Sequence, residues 1–257
     1  MIADIKRPAL RYFGSKFRCA NRILKYFPEH AIYVEPFGGS AALLLRKQRS
    51  AYEIYNDLND EVYEFFYMLR KYPRRLIRLL SLTPHSREEF EKSLIIDDTD
   101  DAFERCRKFY VRSWQSYMGS GNTTNVGSWR QYRYSSNATL FPNADNLYNI
   151  VDRIKTVTFE HIDAMKCIQR YDTDNTLFYI DPPYIKHGDS YITGIDSKYH
   201  DELSNILHTI KGLAIISTTE NDVYIDMYKD WTCASIKVMN TNAKSNTELL
   251  YMNFELA

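Results

Sequence analysis

Short apolar runs recur along the chain, each closing on an acid, a glycine pair or a turn-prone cluster, with amphipathic stretches between them. "AIYVEPF" (31–37) reads as a buried strand stopping at Gly38-Gly39, and "SAALLLRKQ" (40–48) as the helix that follows. "AYEIYND" (51–57), "TVTFEHID" (156–163), "NTLFYID" (175–181), "GLAIIST" (212–218) and "CASIKVM" (233–239) have the same β-branched and aromatic character. Helical stretches near 162–170, 199–210 and 221–229 separate them, and "TELLYMNFEL" (247–256) forms a last strand after the turn-prone "NTNAKSN". Strands alternating with helices predict an α/β fold: an open, Rossmann-like, mainly parallel sheet with helices on both faces and a terminal antiparallel strand.

One connection breaks the alternation. About 98 residues separate Asp57 from Thr156, where such units use a few loop residues and one helix. Residues 60–112 carry helical periodicity, interrupted at "TPHS" (83–86) and "DDTDD" (97–101). Residues 116–146 are polar, rich in Gly, Asn and Ser, and studded with Trp, Tyr and Arg. The expected organisation is a catalytic domain built from 1–58 and 150–257, with an inserted recognition domain at 59–149 that carries a long functional loop.

Composition narrows the class. The chain has 257 residues, 44% of them hydrophobic, enough for one large domain or one domain with an insertion. The formal net charge is zero, but it is unevenly spread. Seven Lys/Arg precede Pro28 against one acid, and the stretches between Glu64 and Glu88 and between Glu104 and Asp145 are basic and acid-free. Such segments can form a basic face for a polyanion on a neutral protein. Cys19, Cys106, Cys167 and Cys233 are scattered, which argues against a zinc site, and the histidines show no ligand spacing, so no metal is expected. Unpaired thiols, the lack of a secretory leader and the lack of a long apolar run lead us to expect a cytoplasmic protein with no membrane segment.

Ligands of open α/β sheets sit at the carboxyl ends of the strands. The first strand ends in "VEPFGGS", an acid (Glu35) followed by Phe37 and glycines that allow close backbone approach; the second delivers Asp57, placed to accept hydrogen bonds from ribose hydroxyls or to cap a helix. The fourth ends in "DPPY". Each residue before a proline is held extended, and both prolines have a fixed φ and no N–H. The Pro182 carbonyl is then a stiffly aimed acceptor beside the Asp181 carboxylate, and Tyr184 adds a flat apolar face. Two acceptors and a stacking plate suit a planar ring with an exocyclic amino group. Accepting both amino hydrogens favours pyramidalisation and aims the nitrogen lone pair at an electrophile. The competing reading of this segment is an edge-strand exit with an N-capping aspartate.

With these residues in hand, the chain resembles the Dam-like DNA adenine-N6 methyltransferases. The resemblance runs in motif order through "RYFGSK" (11–16), "YVEPFGGSAAL" (33–43), "YNDLN" (55–59), "FEHIDA" (159–164), "YIDPPY" (179–184) and "TELLYMN" (247–253). It implies an S-adenosylmethionine-dependent methyltransferase with Tyr12, Lys16, Asp57 and Asp181 at cofactor-contacting positions beside Glu35, Phe37 and Gly38. It also implies a flipped adenine in the pocket formed by Asp181, Pro182 and Tyr184, and Arg11 near DNA. Members of the family often read GATC. The loop here has "NTTNVGSW" in place of the usual aromatic-Asn and Pro-Phe-Gly pattern, which points to a different or relaxed specificity.

The expected partner is double-stranded DNA, met by a monomer or weak dimer, with restriction-modification among the possible contexts. In the insertion, Arg105, Arg107 and Lys108 fall on a helix and are assigned to phosphates, and Arg130 and Arg133 in the loop are assigned to sequence reading beside Trp129 and Tyr132; Arg112 and Trp129 are further expected DNA contacts, and Trp114, Tyr117, Trp129, Tyr132 and Tyr134 suit intercalation. Two other functions compete: methyl transfer to RNA or to a protein amide, and a catalytically silent DNA-binding relative.

Overall fold

The computed structural model describes residues 5–12, 14–116, 129–130, 144–184, 197–239 and 245–256; Arg133, Tyr117, Tyr132 and Tyr134 lie outside that set. The elements begin with α1 (Ala20–Ile23), β1 (Ile32–Glu35), α2 (Ala42–Arg46) and β2 (Tyr52–Asn56). The helices α3 (Asp60–Lys71), α4 (Pro73–Leu82), α5 (Arg87–Ser93) and α6 (Ala102–Gln115) follow. Then come α7 (Ala144–Ile154), β3 (Thr158–Glu160), α8 (Ala164–Tyr171) and β4 (Thr176–Ile180). The chain ends with α9 (Ser197–Leu207), β5 (Leu213–Thr219), α10 (Asp222–Met227), β6 (Thr232–Met239) and β7 (Ser245–Met252). Among the described residues, no helix is long and apolar enough to cross a membrane.

Two compact units emerge. The first is Met1–Phe17, Gly39–Gln48 and Leu58–His161; the second is Arg18–Gly38, Arg49–Asp57 and Ile162–Ala257. The amino-terminal arm and residues 39–48 therefore group with the helices of the insertion, although the sequence pattern attaches them to the sheet.

Among the described residues, the second unit holds six strands in the order β2-β1-β4-β5-β7-β6, and β3 falls in the first unit. β1 pairs parallel to β2 and β4, and β4 parallel to β5. The terminal strand β7 does not extend the edge. It enters between β5 and β6, antiparallel to both. β4 is buried along its whole length, as a central parallel strand covered on both faces must be. Its Phe178 and Ile180 join Val34, Ile54, Ile216 and Tyr224 in the unit's core.

The first unit is helical, with α6 packed on α3, α4 and α5, and α7 on α3 and α4. Local chemistry sets the helix starts. Asn59 caps α3 by accepting from the backbone N–H of Glu61 and Val62, Ser86 caps α5 by accepting from Glu89, and Asp101 caps α6 by accepting from Glu104. Pro73 occupies the first turn of α4, where its missing N–H costs nothing, and this splits the long helical stretch after Tyr72.

The basic residues of α6 find acids from other elements. Arg105 pairs with Glu64 of α3, Arg107 with Glu89 of α5 and Glu104, and Lys108 with Asp100. Arg112, only 4% exposed, donates to Glu61 and to the Ser93 carbonyl. Each of these basic side chains thus has an acidic partner within the protein, with which a phosphate would have to compete. Segments that are acid-free in sequence are not acid-free in space, and a buried, doubly bonded guanidinium such as that of Arg112 does not present itself to a ligand. Breaking a buried ion pair from one side leaves an unpaired charge in a low-dielectric setting. Arg112→Ala is therefore expected to lower unfolding free energy by about 3–5 kcal/mol, read by denaturant titration, and Lys108→Ala to lower the unfolding midpoint.

Candidate active site

The carboxyl ends of β1, β2 and β4 lie side by side in the second unit, because Glu35 registers with Tyr55 and Val34 with Phe178. Asn56, at the end of β2, fixes what leaves them. Its fully buried side chain donates to the Pro36 carbonyl at 2.8 Å and to the Ile162 carbonyl at 3.0 Å, and accepts from the Ile162 N–H at 3.0 Å. Its own carbonyl accepts from the Gly38 N–H at 2.8 Å. The sequence reading passed over this residue for the neighbouring acid. The available signal was a carboxamide at the end of a strand that reads as buried, where burial demands partners.

The glycine pair has two separate reasons. A Cβ at Gly38 would stand 2.2 Å from the ring of buried Tyr55, so packing excludes a side chain there whatever a ligand requires. Gly39 has φ +48°, and Ala41 follows at +55°, a left-handed conformation costly for a residue with a Cβ. The division between the two units falls between Gly38 and Gly39. Phe37 packs on the core of the second unit. Glu35 is buried and accepts from the Tyr33 hydroxyl at 2.7 Å. Burial, reinforced by that carboxylate, holds the Tyr33 phenol well above its ordinary pKa. Asp57 is half-buried, and the cap of α3 is Asn59, so the helix-cap role suggested for Asp57 is taken by another residue.

β4 delivers Asp181 and Tyr184, both half-buried, around a buried Pro182. β4 lies between β1 and β5, so the edge-strand alternative falls. The Tyr184 hydroxyl contacts Asp181 Oδ1 at 2.9 Å and also Glu248 Oε1 on β7, and Glu248 accepts from the Ser217 hydroxyl of β5 at 2.7 Å. The sequence reading used only the face of this ring, and neither Glu248 nor Ser217 was singled out. Their signal was an acid and a serine that follow or precede apolar residues at alternate positions of the two strands.

In the first unit, the "RYFGSK" segment packs on residues 39–40. A Cβ at Gly39 would lie 3.4 Å from the Tyr12 ring, and the Ser15 and Ser40 hydroxyls are 2.6 Å apart. Lys16 is buried, with Nζ donating to the Gly14 carbonyl at 3.2 Å. Arg11 is bound to the end of α6: its N–H donates to Ser113 Oγ at 2.8 Å, its carbonyl accepts from that hydroxyl, and its guanidinium donates to the Ser116 carbonyl.

The loop returns to α6 at Trp129 and Arg130. Arg130 N–H donates to the Gln115 carbonyl at 2.7 Å, and the Trp129 indole donates to the Gln115 side chain at 3.3 Å. Trp129 lies under the Arg87 guanidinium, 4.7 Å from the ring centroid, and beside His85. Burial, helped by the Arg130 charge, pulls His85 below its ordinary pKa. Trp129 is thus half-buried at the base of the loop. Buried Gln115, which also donates to the Pro84 carbonyl, is an anchor the sequence reading missed.

The family model described as D12 class N6 adenine-specific DNA methyltransferase matches residues 12–249. Modification methylase StsI of Streptococcus sanguinis is 27% identical over 212 residues, covering 74% of this chain and 30% of that protein. Type II methyltransferase M1.LlaDCHI of Lactococcus lactis subsp. cremoris is 26% identical over 283 residues, 96% of this chain and 95% of that protein. A DNA adenine methylase of Vibrio cholerae is 23% identical over 184 residues, 70% of this chain and 65% of that protein. The chain thus spans less than a third of the first relative and just under two thirds of the third.

If Asn56 sets the strand exits, Asn56→Ala strands a buried N–H and two carbonyls. The expected loss is about 2–3 kcal/mol of stability, measured by denaturant unfolding.

Proposed function

The chain belongs to the D12 class N6 adenine-specific DNA methyltransferases, and on that premise we propose that it transfers a methyl group from S-adenosylmethionine to the N6 amino group of an adenine extruded from duplex DNA. The observation that carries the reading is the alignment of Glu35, Asp57 and Asp181 at adjacent strand ends in one parallel sheet. The residues fit the cofactor. Asp57 offers a half-buried carboxylate to ribose hydroxyls, and the Phe37-Gly38 loop is held by its bond to Asn56. Tyr12 and Lys16 are the further residues we assign to the cofactor. When bound, S-adenosylmethionine supplies an electrophilic methyl group.

The protein's share of the chemistry is placement. Extruding a base costs a few kcal/mol of stacking and pairing, returned in part by stacking on Tyr184. Asp181 and the Pro182 carbonyl each accept one amino hydrogen, which localises the nitrogen lone pair and aims it. No strong base is needed, since the methylated nitrogen becomes acidic and loses its proton afterwards. For target choice we assign Arg130 and Arg133 to base edges, with Trp129 and Gln115 fixing the base of their loop. Arg11 is the proposed basic contact of the arm.

Asp181→Ala is expected to abolish measurable transfer to DNA while the protein stays folded; near-normal turnover would sink the role. Asp57→Ala is expected to weaken S-adenosylmethionine binding in the absence of DNA without changing which sites are modified. Mapping methylated adenines in a host that expresses the protein tests target choice. Arg130→Ala should broaden or shift the modified set, a loss of roughly 1–3 kcal/mol of discrimination per lost base contact, and an unchanged set removes Arg130 from the reading role.

A further inference from the structure

The Tyr184 hydroxyl contacts two carboxylates, Asp181 Oδ1 at 2.9 Å and Glu248 Oε1, yet a phenol has one proton to give. The two acceptors differ in how firmly they are held. Glu248 is 8% exposed on β7, between two strands, and its Oε1 also accepts from Ser217, which is fully buried on β5. Thr219 registers opposite Glu248, so Ser217, two residues along, is its diagonal neighbour on the same face of the sheet. Asp181 lies past the end of β4 in a segment with no regular structure.

Where the hydroxyl points decides how the ring is held. Donating to Asp181 ties the ring to a residue three positions back, whereas donating to Glu248 ties the ring's tip to the sheet. We infer that Glu248 is a positioning residue for methyl transfer: anchored by Ser217, it accepts the hydrogen bond of the Tyr184 hydroxyl and fixes the ring against which the substrate base stacks. The inference rests on the reading of Asp181 and Tyr184 as the groups that hold the adenine. Burial first, then the charges of Asp181 and Glu248, with Tyr179 behind them, hold the Tyr184 phenol well above its ordinary pKa, so it remains a donor at neutral pH.

Two variants of the full chain break the contact from opposite sides. Glu248→Gln keeps size and an acceptor but removes the charge, and Tyr184→Phe keeps the ring and removes the hydroxyl. In single-turnover methyl transfer to DNA carrying a mapped target site, each is expected to slow the reaction roughly tenfold or more, the scale of a hydrogen bond to a charged group. The double variant should be no slower than the slower single one, because both remove one interaction. The S-adenosylmethionine dissociation constant without DNA should stay within about twofold, since the contact acts on the acceptor side. A wild-type rate in Glu248→Gln, or losses that multiply in the double variant, overturns the inference. If Glu248→Gln does not fold, a wild-type rate in Tyr184→Phe overturns it equally, and a comparable slowing there supports it. A readout independent of DNA is the ionisation of 13C-labelled Tyr184, identified by its disappearance in Tyr184→Phe: its midpoint should fall in Glu248→Gln, and an unmoved midpoint rules out the contact. A wild-type protein that methylates no adenine overturns the functional reading and this role with it, even where the Tyr184 midpoint moves as expected.

Discussion

The candidate site depends on one buried carboxamide. Asn56 saturates its side chain with the Pro36 carbonyl and both backbone groups of Ile162, and its carbonyl holds the Gly38 N–H. An unpaired amide in that position would carry a penalty comparable to several net hydrogen bonds, so the exits of β1 and β2 and the chain entering α8 are held in one arrangement. The flanking features follow from it. Gly38 must approach the Tyr55 ring too closely for any side chain, and Asp57 emerges beside the loop with its carboxylate half-buried. The site is therefore rigid at the end that would hold a cofactor, as preorganised binding requires.

Electrostatics in the helical unit fix how its helices meet. Arg107, Lys108 and Arg112 are largely buried and paired with Glu89, Glu104, Asp100 and Glu61. Such pairs add little net stability over well-packed apolar residues, but they penalise strongly any arrangement that separates them. They set how α3, α5 and α6 meet, and α6 in turn ends at Gln115, which pins Trp129 and Arg130. The loop proposed to read DNA thus has a fixed base built from a carboxamide, an indole and a backbone pair.

Tyr184 shows how a motif can be right in place and incomplete in chemistry. The two prolines set an extended exit from a buried strand, and this is what the chain does after Ile180. The ring's polar tip then meets acids from two directions, one three residues back and one 64 residues on. A phenol buried among carboxylates stays protonated and serves as a donor, so its position is set by competition among acceptors as well as by its apolar face.

The sequence by itself determined the alternation of strands and helices, the helical insertion with breaks near 83–86 and 97–101, and the strand ends at which Glu35, Asp57 and Asp181 emerge. Those features are local: periodicity, proline and glycine conformational limits, and capping groups act within a few residues, and each is written in the order of the chain. The tertiary structure alone decided that β7 enters between β5 and β6, which brings Glu248 to Tyr184. It decided that the basic residues of α6 pair with acids brought in by α3, α5 and the turn before α6 as well as by α6 itself, and that Asn56 rather than Asp57 is the residue the strand exits share. Pairing of charges and saturation of buried polar groups depend on which distant segments meet. Nothing in a linear pattern specifies that meeting until the apolar faces have packed.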